Sequence, residues 1–418
     1  RYISYVIINS YDFHIKILFN DYEKSVIMND SFRHKINKWL QSIQIKQNAA
    51  LNLNHRKQII NSFPEPKNCL ERSYYQYLCQ NNSLTLIIKL LQNITAVIVF
   101  PLLWIVFNTK GCNFIKNADA IYLSDGIGME IIPQSIKVKY HRMVNCSYSG
   151  TKIIGKTERK IMKLCIMRYW YAPFFCLKCL VKIGLYANYI ESYRPKAVVV
   201  YNEYSFTSSL LTAYCREKNI THINVLHGEK MFNLRDAFVE YDQFYVWEDY
   251  YKDLFVAMRA EPSQFIVELP EFLKHENKID HLYPSEPEYD YTYYMGAEQE
   301  NMLINLRNIL DLLQRSNKKV CIRLHPRFSD NAKVVKIFND YIIEDPNIPI
   351  IDSIKNTQAV ISIFSTVLYQ AYLLGKLVIL DDLTDPKRFA QLKDLGYIML
   401  EKPHHLLSKH IQYTLTAK

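Results

Sequence analysis

Glycine is scarce in this chain, with 10 in 418 residues. A protein that cradles phosphates in a glycine-rich loop needs several of them close together, because only glycine lets the backbone bend and approach an anion so tightly. No Walker pattern is present, and Gly126-Ile127-Gly128 lacks the third glycine of a dinucleotide fingerprint. Any phosphate site must be built by another device. The cysteines exclude a second class. All nine are scattered, odd in number and mostly set in apolar runs, which argues against a secreted disulfide framework and for a reducing cytoplasm. Cys176-x-x-Cys179 has no second pair and no histidines at ligand spacing, so a packed helix face is expected there rather than zinc. There is also no D-x-D pair of the kind that holds a nucleotide through a divalent ion; no metal and no cofactor are expected.

What the chain does have is apolar mass and an uneven charge. Hydrophobic residues make up 49% and charged residues 22% of it, which suits a folded protein of two domains, each about 200 residues. The formal net charge is +10. Between Thr151 and Lys182 stand Lys152, Lys156, Arg159, Lys160, Lys163, Arg168, Lys178 and Lys182 against the single acid Glu158. Aromatic residues interleave with these bases, as expected of a segment on an acidic bilayer surface. The uncharged run Leu90–Thr109, LLQNITAVIVFPLLWIVFNT, serves no evident purpose in binding nucleic acid, so a membrane surface is preferred as partner. Its length approaches that of a span. Pro101 and the polar Gln92, Asn93 and Thr95 weaken a spanning helix, leaving a bent helix in the interface, one buried between domains, or an ordinary core helix.

Secondary structure is most legible after residue 185. Ala197 to Val200 reads as a β-branched strand, followed by a helix to about Lys218 and a second strand ending at Leu226. Ala120 to Leu123 looks like an earlier strand of the same sheet. Polar residues follow each: Ser124-Asp125, Asn202-Glu203 and His227-Gly228-Glu229. A second series then alternates, from QFYVWEDYYKDLF through VCIRLHP, AVISIFS and KLVILDD, with a helix starting at Thr366. The polar, proline-bearing stretch HENKIDHLYPSEPEYDYTYY reads as a surface loop. Leu303, Leu306, Ile309, Leu310 and Leu313 mark a helix between it and VCIRLHP.

These patterns predict an α/β protein of two Rossmann-like, doubly wound domains facing across a cleft: residues 1–238, which would bind an acceptor and carry the basic and apolar insert, and residues 239–418, which would bind a nucleotide donor. Strand ends would bring His227, Glu229, Arg323, His325, Arg327, Ser365 and Thr366 to that cleft. Pro326 would fix the turn after His325, and the arginines have the fork geometry that grips phosphate oxygens. Ser365 and Thr366 open a helix, whose N–H groups and hydroxyls make an anion site without any glycine loop.

The order LHGE, RLHPR and SIFSTVLYQAYLLGKLVIL resembles the bacterial surface-polysaccharide glycosyltransferases of the GT-B fold. That superfamily includes sialyltransferases and polysialyltransferases, Kdo transferases of capsule assembly and the polyol-phosphate polymerases of teichoic acid; free-standing nucleotide-sugar epimerases share the fold. The likeness spans Lys196 to Asp382. It implies that His325-Pro326 contacts donor phosphates and that Ser365-Thr366, with Ser362 a weaker candidate, also holds the donor. The acid-acid-Gly motif of the sialyltransferases has its nearest match at Ser124-Asp125-Gly126, whereas His227-Gly228 looks like the His-Gly of the teichoic-acid polymerases. An unperturbed imidazole titrates at about pH 6.5, so it needs the least tuning to serve as a base. The candidate bases are therefore His227, then Asp125, then Glu229. Asp125 before a glycine is equally good turn chemistry, and Glu203 stands ready to orient a neighbour.

The resemblance implies an inverting, metal-independent transfer from a nucleotide sugar to a glycan or lipid-linked glycan acceptor in capsule, O-antigen or lipooligosaccharide assembly. CMP-linked sialic acid or Kdo types lead as donors, and UDP-sugars follow. A CDP-polyol phosphotransferase and a non-catalytic nucleotide-sugar or glycan binder are the alternatives. The expected location is the cytoplasm, peripheral at the inner face of the cell membrane, with no nucleic acid partner.

Overall fold

The computed structural model describes residues 52–416, apart from 83, 108–115, 275–285, 297, 299, 327, 328 and 330. The β-rich pieces YISYVII and FHIKILF at the start of the chain lie outside the described residues. The described chain divides into two units. The first holds the residues up to His227 together with Phe232–Phe272, and the second holds Gly228–Met231 and the residues from Leu273 onward.

Three helices open the first unit: α1 (Leu53–Asn61), α2 (Cys69–Asn81) and α3 (Leu86–Val106). Each starts at a polar side chain, Asn52, Asn68 and Thr85, that accepts the N–H of the third residue on. Then follow β1 (Ala120–Leu123), α4 (Gln134–Lys139), β2 (Met143–Cys146), α5 (Lys156–Tyr169), α6 (Pro173–Tyr193), β3 (Ala197–Val200), α7 (Ser208–Glu217), β4 (Thr221–Val225), β5 (Gln243–Val246), α8 (Asp249–Ala257) and β6 (Phe265–Val267). The strands form one parallel sheet in the order β2-β1-β3-β4-β5-β6. Ala-Ile-Tyr-Leu of β1 and Ala-Val-Val-Val of β3 are buried at every position. Strands covered on both faces have no reason to alternate, so their sequences read as continuous apolar runs.

The second unit comprises β7 (Tyr289–Tyr294), α9 (Glu300–Arg315), β8 (Val320–Arg323), α10 (Asn331–Ile337), β9 (Ile342–Ile343), α11 (Ile350–Lys355), β10 (Thr357–Ser362), α12 (Thr366–Leu373), β11 (Leu377–Leu380), α13 (Pro386–Asp394), β12 (His405–Leu406) and α14 (Leu407–Thr416). Its sheet is also parallel, in the order β12-β11-β10-β7-β8-β9. Numbered from β7, that is the 3-2-1-4-5-6 winding of a Rossmann domain, with its switch point between β7 and β10. The expected α/β fold of two doubly wound sheets is present. On α9, Leu303, Leu306, Ile309, Leu310 and Leu313 are all buried, as their spacing predicts.

Four expectations need correcting. The boundary at 238/239 falls too early, because β5 and β6 pair onto the first sheet and the first unit runs to Phe272; β4 is consequently not the last strand of that sheet. The stretch read as a surface loop ends in β7, a central strand. Its tyrosines do what Val or Ile would do while keeping a polar tip satisfied: Tyr291 reaches His410, Tyr293 donates to Asp381 and Tyr294 meets Ser353. Thirdly, the run Leu90–Thr109, described as far as Phe107, is part of one continuous helix, α3, which retains Pro101 and is neither core nor buried between domains: Leu86 is 82% and Ile105 80% exposed. Finally, Lys178 and Lys182 are buried on α6 and contribute nothing to an outer basic surface, because that helix is enclosed on almost every side. Cys176 and Cys179 are buried on the same helix as packing residues.

Candidate active site

In the first unit the carboxyl ends of β1, β2, β3 and β4 gather a polar cluster. The sheet order reverses between β1 and β3, where splayed loops leave room for a ligand in folds of this kind. His227 follows β4, with its imidazole between Tyr201 and Tyr204, ring centroids 5.0 and 6.2 Å away. Its Nδ1 lies 3.5 Å from Oε1 of Glu203, whose side chain is wholly buried while that of His227 stays 22% exposed. The other carboxylate oxygen of Glu203 accepts from Nδ2 of Asn224 at 3.2 Å, and Asn224 Oδ1 accepts the backbone N–H of Asn202 at 2.7 Å. Asn202 in turn donates to the hydroxyl of Tyr148. The main chain at Glu203 is held as well, its carbonyl accepting from Gln76 on α2 at 2.8 Å. A buried carboxylate is tolerable only when such donors surround it.

Asp125 stands at the end of β1, two strand positions from β4, or about 10 Å at the usual strand spacing. Its Oδ1 accepts from the Ser147 hydroxyl at 2.9 Å and from the Tyr148 N–H at 3.0 Å, while Gly126 takes φ +88° to turn the chain. The aspartate thus fixes the loop after β2, a longer-range role than the local turn chemistry weighed for it from sequence.

In the second unit, His325 follows β8 in a turn closed by Ser329, whose hydroxyl accepts the His325 N–H at 2.8 Å and donates to the carbonyl of Gly296 at 3.1 Å. Pro326 is exposed on that turn. Ser365 caps α12 by accepting the N–H of Val367 at 3.2 Å, and Thr366 is half-buried at the first helical position. A methyl group added at Gly228 would come within 3.8 Å of the Thr366 hydroxyl, so Gly228 brings backbone close to the start of α12. Glu229 beside it is buried, and burial raises its pKa well above the usual carboxylate range, with the Tyr397 hydroxyl acting in the opposite direction.

The remaining donor-site candidates divide. Arg323 is committed elsewhere: it pairs with Glu344, itself bonded to Ser353, and donates to the carbonyl of Ile348 at 2.6 Å. An anion for its charge is thus supplied within the protein, by Glu344. Ser362 is buried and spends its hydroxyl on the carbonyl of Tyr294 at 2.8 Å, a bond between neighbouring strands. Arg327 lies outside the described residues. Sequence reasoning missed Tyr148, Asn224 and Gln76 in the first unit. It also missed Glu298, half-buried, and Asp381, fully buried, in the second, both with pKa values raised by desolvation. Nothing in their local sequence marks them; strand ends bring in all but Gln76, which reaches the site from α2.

No protein-family model and no curated protein matches the chain. Among solved structures it is similar to the UDP-GlcNAc 2-epimerase of Methanocaldococcus jannaschii in complex with UDP-GlcNAc and UDP, at 12% identity over 71% of this chain and 91% of that one, with a TM-score of 0.43. It is also similar to the wall teichoic acid polymerase TagF, at 11% identity over 79% and 87%, TM-score 0.44. A third likeness is a glycosyltransferase from Rickettsia africae, at 12% identity over 72% and 94%, TM-score 0.36.

Proposed function

We propose that the chain is a glycosyltransferase acting on a nucleotide-activated sugar, with His227 as the base that takes a proton from the acceptor hydroxyl. One observation carries this reading: an accessible imidazole at a strand end, backed at 3.5 Å by a wholly buried carboxylate that is itself fixed by Asn224. A carboxylate at Nδ1 favours the tautomer with the proton there, leaving Nε2 to accept, and it stabilises the imidazolium once the proton arrives. The contact is long for a hydrogen bond, as is usual without substrate.

In the proposed step, Nε2 removes the hydroxyl proton as the acceptor oxygen forms its bond to the anomeric carbon. The bond from that carbon to the phosphate oxygen breaks, and the nucleotide leaves with the electron pair. Within the second unit, His325, Thr366 and the start of α12 are the candidates for holding a donor phosphate, since a helix N-terminus and hydroxyl donors favour an anion. No step calls for a divalent ion. The reading takes CMP-linked acidic sugars as first donors to try, UDP-sugars next, and a glycan of a surface polysaccharide as acceptor. Because Asp125 is occupied in its loop, the histidine is the better base. That is the feature shared with polyol-phosphate polymerases, so transfer from a CDP-alcohol stands as the second reading.

The test is a thermal-shift panel with CMP, CDP, UDP and GDP. A nucleotide at a hundredfold excess over its Kd stabilises the native form by about 2.7 kcal/mol. One base should raise the melting temperature in the wild type and in His227→Gln, but not in His325→Ala. In His227→Gln, turnover of the matching donor should fall by about 100-fold or more. Full turnover in that variant, or no response to any nucleotide, would overturn the assignment. Donor phosphorus retained in the product would decide for the CDP-alcohol.

A further inference from the structure

The most exposed apolar surface among the described residues belongs to α3. One face is committed to the protein: Ile88 and Ala96 are buried, the helix packs on α6, and Asn93 accepts the N–H of Phe174 at 3.2 Å. The other face carries Leu86, Leu90, Ile94, Val97, Ile98 and Ile105, each at least half exposed. With Ile87, Leu91 and Val106, also more than half exposed, they form a broad apolar band over about half of the helix circumference. Thr95 does not spoil it, because its hydroxyl turns back to the carbonyl of Leu91 at 2.8 Å. The helix is long and apolar enough to cross a membrane, yet its attachment to α6 leaves only one side for lipid. That geometry suits a helix lying in the plane of an interface.

What sits beside the stripe is charged. The guanidinium of Arg159 on α5 stacks over the ring of Trp104 on α3 at 4.9 Å, so the two helices adjoin. Met162, Cys165 and Tyr169 point α5 inward, and its outer side presents Lys156, Lys160 and Lys163 with Leu164, Met167 and Trp170. The one acid of that helix, Glu158, faces in, bound by Lys218 at 2.9 Å and by the Tyr214 hydroxyl at 2.7 Å. Among the described residues no carboxylate reaches Lys156, Lys160 or Lys163. An exposed apolar stripe would suit many partners. Three uncompensated lysines interleaved with exposed Leu, Met and Trp alongside it ask for a surface both apolar and anionic, which is the interface of an acidic bilayer.

We propose that α3 and α5 together form the face by which this protein docks on an anionic phospholipid membrane. The stripe of α3 enters the acyl boundary, Trp170 sits at headgroup level, and the lysines of α5 meet lipid phosphates.

The test uses the full chain in sedimentation with vesicles of phosphatidylglycerol and phosphatidylcholine, against phosphatidylcholine alone. Wild type should sediment with the anionic vesicles, with a blue shift in tryptophan emission, and far less with the neutral ones. The K156Q/K160Q/K163Q variant should bind the anionic vesicles on the order of 100-fold more weakly, from the usual effect of a lysine near such a surface. The I94E/I98E variant should lose binding while keeping the wild-type melting temperature and nucleotide response. Four results would overturn the proposal: no binding to either vesicle; equal binding to both with no effect of the lysine changes; a marked fall in melting temperature for I94E/I98E, which would mean the chain covers its own stripe; or self-association without lipid that I94E/I98E abolishes, which would make it an interface between copies. The sedimentation, emission, melting and self-association readouts stand whether or not the transferase assignment holds.

Discussion

His222 provides a test of the first sheet's interior that needs no knowledge of substrate. It lies wholly buried in β4, with the Tyr186 hydroxyl 3.1 Å from Nε2 and the Thr212 hydroxyl 2.8 Å from Nδ1. The Thr212 hydroxyl already donates to the carbonyl of Glu240 at 2.7 Å, so it accepts from Nδ1–H and leaves Nε2 to accept from Tyr186. This is a neutral imidazole with both nitrogens used. Burial, with Arg216 adding to it, pushes the pKa from 6.5 down to about 3. In the unfolded chain the same ring takes a proton near pH 6.5. Between those values the unfolded state holds more protons, so stability falls as pH falls, by up to about 1.4 kcal/mol per pH unit. From pH 7 to pH 5 the loss is roughly 2 kcal/mol.

Other groups run against this trend. Burial raises the pKa values of Glu229, Glu298 and Asp381, so the native state holds their protons longer, and acid favours it through them. The wild-type profile therefore mixes signs, and the informative quantity is a difference of differences. Urea unfolding of wild type and His222→Gln at pH 7 and pH 5 supplies it. The variant should be less stable at pH 7 by about 1–3 kcal/mol, the usual result of leaving buried partners unsatisfied. Its loss on going to pH 5 should be smaller than that of the wild type by roughly 2 kcal/mol. Equal losses in the two proteins would show that His222 titrates normally and that the buried network is wrong.

Two further substitutions separate structure from substrate binding. Arg323→Ala leaves Glu344 buried without its partner and should destabilise the protein by about 3–5 kcal/mol in a thermal or urea melt. The nucleotide response of the folded fraction should be unchanged; a stable variant that has lost that response would restore Arg323 as a phosphate ligand. Ser362→Ala removes only the bond to the Tyr294 carbonyl and should cost about 1 kcal/mol, with the nucleotide-induced shift intact by the same assay.

Much of the scaffold was legible because it obeys local rules. Ala120–Leu123, Ala197–Val200 and the helix opening at Thr366 stand where β-branched runs and a serine N-cap put them. His227 and His325 were legible as strand-end residues. Their surroundings were not: Glu203 meets His227 because β3 and β4 are neighbours in the sheet, whereas 24 positions of sequence separate the two residues. The tyrosines of β7 misled because a polar tip reads as loop until Asp381 and Ser353 arrive to satisfy it. Arg323 misled for the opposite reason, since its anion, Glu344, lies 21 residues away.

The sequence alone determined most of the elements, β7 excepted, and the types of residue left at strand ends, because periodicity, capping and β-branching act within a few residues. Only the tertiary structure decided which charges are spent internally and which face outward. It tied Arg323 to Glu344, enclosed Lys178 and Lys182, and left the stripe of α3 and the lysines of α5 exposed. Desolvation and pairing are set by every atom around a group, and most of those atoms come from distant parts of the chain.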